Sequence, residues 1–312
     1  MEQVIRQIGS TPLSISIYSV EQSATKMNRR GVLEIIFCLQ GSVRFSYAYE
    51  EFTLRAGEFI SVDRDAYYLY KGRNNICVSF YLDLTQYEDR YYFIRSNLFV
   101  CEGTEETTMP YPTRWHDQLK GIMIAVLKQM LNDPQEAVMQ SAADQIVALF
   151  VDHFDICMYH AGDRDVPEKI LQRFRYINNY LSTHLKDKIT LQDLAQRMNL
   201  TEGYISQFMR DYSIGFRGIL GYLRANESEW YLLNTDDTVI EISEICGFSD
   251  PQYYYAAFHR WYHCTPRQFR ERYVNETEEK IEYLPPERIE TLINDLMRQH
   301  YFELFLSGSF GN

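Results

Sequence analysis

Two short stretches carry side chains suited to one kind of chemistry, hydrogen bonding to the edges of nucleic-acid bases. In the first, Gly203, Tyr204, Ser206, Gln207 and Arg210 face away from an apolar line of Ile205, Phe208, Met209 and Tyr212. In the second, Gln252, Tyr255, Ala256, His259 and Arg260 take the matching exposed positions of 250–261. A glutamine amide pairs with adenine, and an arginine fork pairs with guanine or phosphate. Thr201 and Ser249 stand ahead of these stretches, where a hydroxyl and backbone N–H groups at a helix N-terminus can meet a phosphate.

Other chemistries lack their residues. The first histidine of the chain is His116, and no HxH or HExxH spacing occurs, so a transition-metal site is not expected. The six cysteines, Cys38, Cys77, Cys101, Cys157, Cys246 and Cys264, lie far apart with no CxxC, as reduced buried thiols of a cytoplasmic protein would. There is no glycine-rich phosphate loop, no GxSxG and no motif-spaced Cys/His pair. The inventory therefore predicts no catalytic residues and no cofactor. The net charge of −12 argues against holding phosphates through bulk field alone. Residues 166–273 are the least unfavourable stretch, with 13 basic against 13 acidic side chains.

The elements that must position these residues change character twice. From 13 to about 95 the chain reads as short strands, among them 13–20, 32–39, 42–48, 51–54, 58–62 and 75–82, broken at Gly31, Gly41, Gly57 and Gly72. VLEIIFCL (32–39) is nearly continuous, as a strand covered on both sides is; SVRFSYA (42–48) alternates. Close strands with tight turns predict a small antiparallel barrel or sandwich. From 115 the apolar spacing becomes helical, first Leu119, Ile122, Met123, Val126, Leu127 and Met130, then Met139, Ala142, Ala143, Ile146, Phe150, Phe154 and Cys157. One such stripe covers the barrel. The other is free to pair with a second copy, or both pack within one chain. A polar break at 161–168 marks a domain boundary, and residues from 274 begin an acidic extension ending in a helix bearing Ile289, Leu292, Ile293, Leu296 and Met297. No run of 18 apolar residues suggests a membrane span, and no secretory leader is visible.

The helical region repeats itself. TLQDLAQRMNLTE from Thr190 aligns without a gap to TVIEISEICGFSD from Thr238. In each, Thr opens a helix and an acid three residues on (Asp193, Glu241) completes a capping box. Asn199 and Gly247 suit the left-handed exit of that helix, and Thr201 and Ser249 cap the next one. A long helix at about 216–233 joins the copies. Two helix-turn-helix units on one rod would place two second helices in successive major grooves, about 34 Å apart.

The stretch 166–273 resembles the double helix-turn-helix domain of the AraC/XylS family of bacterial transcription regulators. The most specific part is GFSD, the pair Tyr253-Tyr254, Phe258, and Thr265-Pro266 before Phe269-Arg270. Departures from the family pattern are Ala256 for a usual Arg, His259 for a common Lys, and His263 for a usual Gly, which leaves a surface poor in basic residues with a small expected salt slope. More faintly, the front resembles a cupin-like sensor barrel, with Glu34 seven residues before Gly41 and Gly57 six before Asp63. The metal histidines of a cupin are absent: residues 27–30 and Tyr68 stand in their places.

The resemblance implies an α+β chain. A cupin-like antiparallel β-barrel that binds an effector would span 1–112, dimerisation helices 113–162, the double helix-turn-helix domain 163–273, and a helical extension 274–312. It implies promoter DNA as partner, a homodimer through helices 115–160, a small-molecule effector, a possible contact with RNA polymerase, and no membrane. Strand alternation nominates Arg44, Tyr47, Tyr49, Tyr68 and Tyr70 as effector-lining residues, against the competing reading that these tyrosines are packing. The rival function is an interaction protein that keeps the fold, has lost DNA binding and acts through a protein partner.

Overall fold

The computed structural model describes residues 6–27, 31–47, 50–62, 66–104, 113–132, 134–161 and 164–306. Strands β1 (Arg6–Gln7), β2 (Leu13–Gln22), β3 (Lys26–Met27), β4 (Val32–Tyr47), β5 (Glu50–Arg55), β6 (Phe59–Val62), β7 (Tyr67–Asp83), β8 (Glu102–Gly103) and β9 (Lys280–Tyr283) form one antiparallel sheet. Helices α1 (Arg114–Leu131) and α2 (Glu136–His153) follow the first eight strands. Then come α3 (Ile156–Ala161), α4 (Glu168–Thr183), α5 (Leu191–Met198), α6 (Glu202–Tyr212), α7 (Phe216–Asn234), α8 (Val239–Ile245), α9 (Pro251–Tyr262), α10 (Pro266–Val274) and α11 (Glu290–Leu306).

The long strands β4 and β7 pair from Val32–Asp83 to Tyr47–Tyr68, with register shifts around Gln40 that bend the sheet. Ile35, Phe37, Phe59, Val78 and Phe80 pack on one face beneath α1, α2 and Ile289 and Ile293 of the extension. Ile36, Phe45, Val62, Tyr68 and Tyr70 fill the other face around Tyr18. β4 is thus covered on both sides, as its continuous apolar run requires.

The barrel expectation is corrected here. The sheet path runs β1-β2-β7-β4-β6-β8, and no ladder joins its two ends among the described residues. The outer edge of β2 is shared by β1 and by β9, which pairs Tyr18 to Tyr283 and Val20 to Ile281. An edge that closure would have satisfied is covered instead by the chain's own C-terminal extension. That strand lies in an acidic run with no strand pattern, so the sequence reading placed only a helix in the extension.

The stripes expected to make a homodimer seam are both used inside the chain. Leu119, Met123, Val126 and Leu127 of α1 and Met139, Ala142, Ala143, Ile146 and Phe150 of α2 are buried in one core with the sheet. α3 instead joins the first helical unit, where Cys157 and Ala161 share a core with Leu171, Phe174, Leu194, Ile205 and Met209. All six cysteines are buried and unbridged. No helix among the described residues is long and apolar enough to cross a membrane.

His116 lies under α1 against Phe59 and Phe154, with Thr113 Oγ1 2.8 Å from its Nδ1. Burial pushes its pKa down from 6.5 to about 4. Between those values the unfolded chain binds a proton that the folded chain does not. Stability is therefore complete above pH 6.5 and falls as the pH drops toward about 4, by on the order of 3 kcal/mol for this one group. Denaturant unfolding across that window should show this slope, and His116→Gln should flatten it.

Candidate nucleic-acid interface

Each helical unit is assembled by local hydrogen bonds that its sequence specifies. In the first, Thr190 Oγ1 accepts from Asp193 N at 3.2 Å while the Asp193 carboxylate accepts from Thr190 N at 2.8 Å. The Thr190 hydroxyl also donates to that carboxylate at 2.6 Å, and this bond together with the one from the Thr190 amide holds the Asp193 pKa below its usual range. Asn199 exits α5 at φ +52°, and Thr201 caps α6 by accepting from Tyr204 N at 3.2 Å. In the second, Thr238 and Glu241 make the same reciprocal box, at 3.3 and 2.8 Å. Gly247 turns at φ +83°. The cap of α9 is Asp250, which accepts from Gln252 N at 2.7 Å, and not Ser249 as expected. Pro251 takes the first helical position, where its missing N–H costs nothing, so the capping oxygen belongs one residue later than expected. His263 adopts φ +52°, the left-handed conformation a glycine would take, and Cys264 is buried just after it. The turn survives the substitution.

On α6, Ile205, Phe208 and Met209 are buried, while Thr201, Gly203, Tyr204, Gln207 and Arg210 are exposed and Ser206 is half-buried. On α9, Tyr254, Phe258 and Tyr262 are buried, while Ser249, Gln252, Tyr255, Ala256, His259 and Arg260 are exposed. Arg210 donates to Ser206 Oγ at 2.7 Å and Gln207 Oε1 at 2.8 Å, and Gln207 Nε2 donates to Asp211 at 2.6 Å. This chain of polar groups pre-aligns the face of α6. A base edge entering there would exchange bonds with it rather than create order from nothing. Arg173 of α4 was not nominated. It donates to the Tyr204 hydroxyl and lies 5.2 Å from that ring. The amphipathic spacing of α4 was its only signal.

α7 sets the two units apart and fixes their tilt. The hydroxyls of Tyr254 and Tyr262 on α9 donate to Ser228 at 2.9 Å and to Glu229. Glu229 also accepts from Tyr67 N of β7 at 3.1 Å. Neither acidic side chain of this part of α7 adds free negative charge to the reading surface. Glu229 is 3% exposed and faces the sheet, and Glu227 pairs with Lys186 at 2.6 Å.

The effector candidates do not converge. Tyr68 and Tyr70 are buried in a stack with Phe45, at centroid distances of 5.4 Å for Phe45–Tyr68 and 6.0 Å for Tyr68–Tyr70. Tyr68 donates to Glu34 at 2.6 Å, and burial holds the Glu34 carboxyl above its usual range. Arg44 points outward, 3.9 Å from Glu51, and Tyr49 lies outside the described residues. Tyr47 instead lines a 360 Å³ cavity with Tyr159, Tyr222 and Trp261, where the sheet side, α7 and α9 meet. Among the described residues no three His, Cys, Asp or Glu side chains are grouped to hold a metal ion.

The fold and this face define a protein with two helix-turn-helix units on one rigid helix. Residues 194–272 match the family model described as a helix-turn-helix domain, and the C-terminal part of the chain is a domain of the AraC type. An uncharacterized HTH-type transcriptional regulator of Escherichia coli K12, YijO, is 26% identical over 165 residues, 52% of this chain and 56% of that protein. The chain thus spans about half the length of that curated relative. The C-terminal domain of the two-component response regulator YesN from Fusobacterium nucleatum is 31% identical, over 32% of this chain and 98% of that one, with a TM-score of 0.29. ToxT from Vibrio cholerae O395 is 11% identical, over 83% of this chain and 97% of that one, with a TM-score of 0.41.

The exit of α8 offers a test of the second unit. A Cβ on Gly247 would lie 2.8 Å from Leu185 O and 2.9 Å from Lys186 Cα, on a backbone already in the left-handed region. Gly247→Ala should therefore destabilise the protein by roughly 2–4 kcal/mol. The check is denaturant unfolding against Gly203→Ala, whose Cβ meets nothing within 4 Å and which should be neutral or stabilising.

Proposed function

We propose that this chain is a transcription regulator that binds duplex DNA by placing α6 and α9 in successive major grooves. The observation that carries the reading is the paired exposure. Both second helices bury their apolar line against the domain and turn a polar line containing Gln and Arg to solvent. The family match and the relatives described as transcriptional regulators support it. One chain supplies both reading units, so binding needs no second copy.

Regulation follows from where the units are anchored. The first shares its core with α3 and Leu98. The second shares its core with Tyr67 and Leu69 of β7. A small molecule in the cavity beside Tyr47, Tyr222 and Trp261 would touch the sensor sheet, the connecting helix and the second reading helix at once. Binding there would shift the population of orientations in which both grooves can be reached. RNA polymerase is the partner such a regulator would recruit or block once seated on a promoter.

Mobility-shift titration with the DNA upstream of the protein's own coding region tests the reading. Arg210→Ala should weaken binding by roughly tenfold or more, about 1–3 kcal/mol, and relax base preference at one position, while Arg260→Ala should weaken binding without changing base preference. Absence of any shift by the wild type at low salt would instead favour a protein partner.

A further inference from the structure

Between the two reading units lies a groove of 540 Å³ whose walls include Phe216, Arg217, Phe248, Ser249, Tyr253 and Arg260. It runs between the first turns of α7 and the exposed side of α9. Its position has a consequence for any duplex read by both helices. Two successive major grooves are separated by the sugar–phosphate strands that border the minor groove, so those strands must cross the protein surface between α6 and α9.

That surface carries arginines that no carboxylate among the described residues neutralises. Among the described residues no carboxylate pairs with Arg210, Arg217 or Arg260. Among the described residues Arg210 bonds to the neutral groups of Ser206 and Gln207, and the Arg260 guanidinium lies 5.0 Å from the Trp261 ring. Gly215 packs beside Arg210, since a Cβ there would lie 3.8 Å from Arg210 Cγ, and Arg217 follows two residues later. The three arginines therefore run in order from α6, across the start of α7, to α9. Arg224 is anchored deeper in the groove by Leu185 O at 2.6 Å and Asp187 O at 2.8 Å, which stiffens the floor. Tyr253, 65% exposed, adds a hydroxyl at the rim. Other arginines of the domain are engaged elsewhere: Arg267 with Glu271, Arg270 with backbone carbonyls, and Arg272 with Glu51.

We propose that this groove seats the phosphates of the DNA strand crossing from one major groove to the next, with Arg217 as a phosphate-positioning residue alongside Arg260 and Ser249. The inference rests on the DNA-binding reading above. Its physical basis is charge complementarity at the one place where both units require backbone contact. It assigns Arg217 a role independent of base sequence, whereas Arg210 on α6 faces base edges.

The test is fluorescence anisotropy with the full chain on two duplexes of about four helical turns, one selected from a random library and one scrambled, between about 50 and 200 mM salt. Arg217→Ala should weaken binding to both duplexes by the same factor, roughly five- to tenfold. It should also reduce the slope of log K against log salt by about 0.9, the loss of one phosphate contact. Arg217→Lys should keep the slope. Because Arg217 is exposed, the alanine variant should unfold at the wild-type midpoint. An unchanged slope for Arg217→Ala on duplexes that the wild type binds overturns the groove assignment and leaves the DNA reading standing. So does a loss confined to the selected sequence. Failure of the wild type to bind either duplex at the lowest salt overturns both.

Discussion

Glu229 is a carboxylate with almost no contact with water, on the helix that carries both reading units. Burying such a group is tolerable only where hydrogen bonds replace its hydration. Here the replacements include the Tyr262 hydroxyl on α9, the Tyr67 amide of β7 and, within α7, the Asn226 amide at 3.2 Å, so one side chain joins the connecting helix to a reading helix and to the sheet. The bonds must be made together or the burial fails, which couples the orientation of α9 to the sheet. The pose of the reading surface depends on that coupling.

The remaining contacts around this point extend the same joint. Tyr67 and Leu69 lie in one core with Tyr254, Phe258, Phe269 and Tyr273. The Tyr273 hydroxyl lies 3.2 Å from Ser46 Oγ, Thr25 Oγ1 donates to Tyr273 O at 2.6 Å, and Lys71 pairs with Glu276 at 2.9 Å. The chain then returns along β2 as β9, and α11 packs against α1. The first unit is held differently. Arg175 of α4 lies 3.4 Å from the buried Asp155, which also accepts from Asn97 Nδ2 at 2.9 Å. Two joints of different chemistry thus connect the sheet and its helices to the two helix-turn-helix units. A change at one joint would tilt one unit relative to the other.

Much of this was legible in the residues, for reasons that are local. Capping boxes at Thr190 and Thr238, left-handed exits at Asn199 and Gly247, and the Thr265-Pro266 start of α10 are set by side chains within a few positions of the bonds they make. The reading faces of α6 and α9 followed from helical period alone. What escaped detection depends on distant chain. β9 forms because β2 has an open edge, a fact absent from the acidic run around Lys280. Alternation could not show that Tyr68 and Tyr70 face a filled interior rather than a pocket, because both environments present the same pattern. Nor could two apolar stripes on α1 and α2 reveal that the extension would supply the cover a second copy might otherwise have given. Arg217 was missed because a single arginine at a helix start carries no signal until the groove beside it is seen.

Hydroxyl-radical footprinting of a bound duplex measures the central geometry most directly, because it reports which sugars the protein covers and on which side of the helix. With α6 and α9 seated in successive major grooves as proposed, cleavage should be suppressed in two windows on the same side of the duplex, their centres about 10–10.5 base pairs apart. A single protected window, or two windows half a helical turn out of phase, would contradict the account.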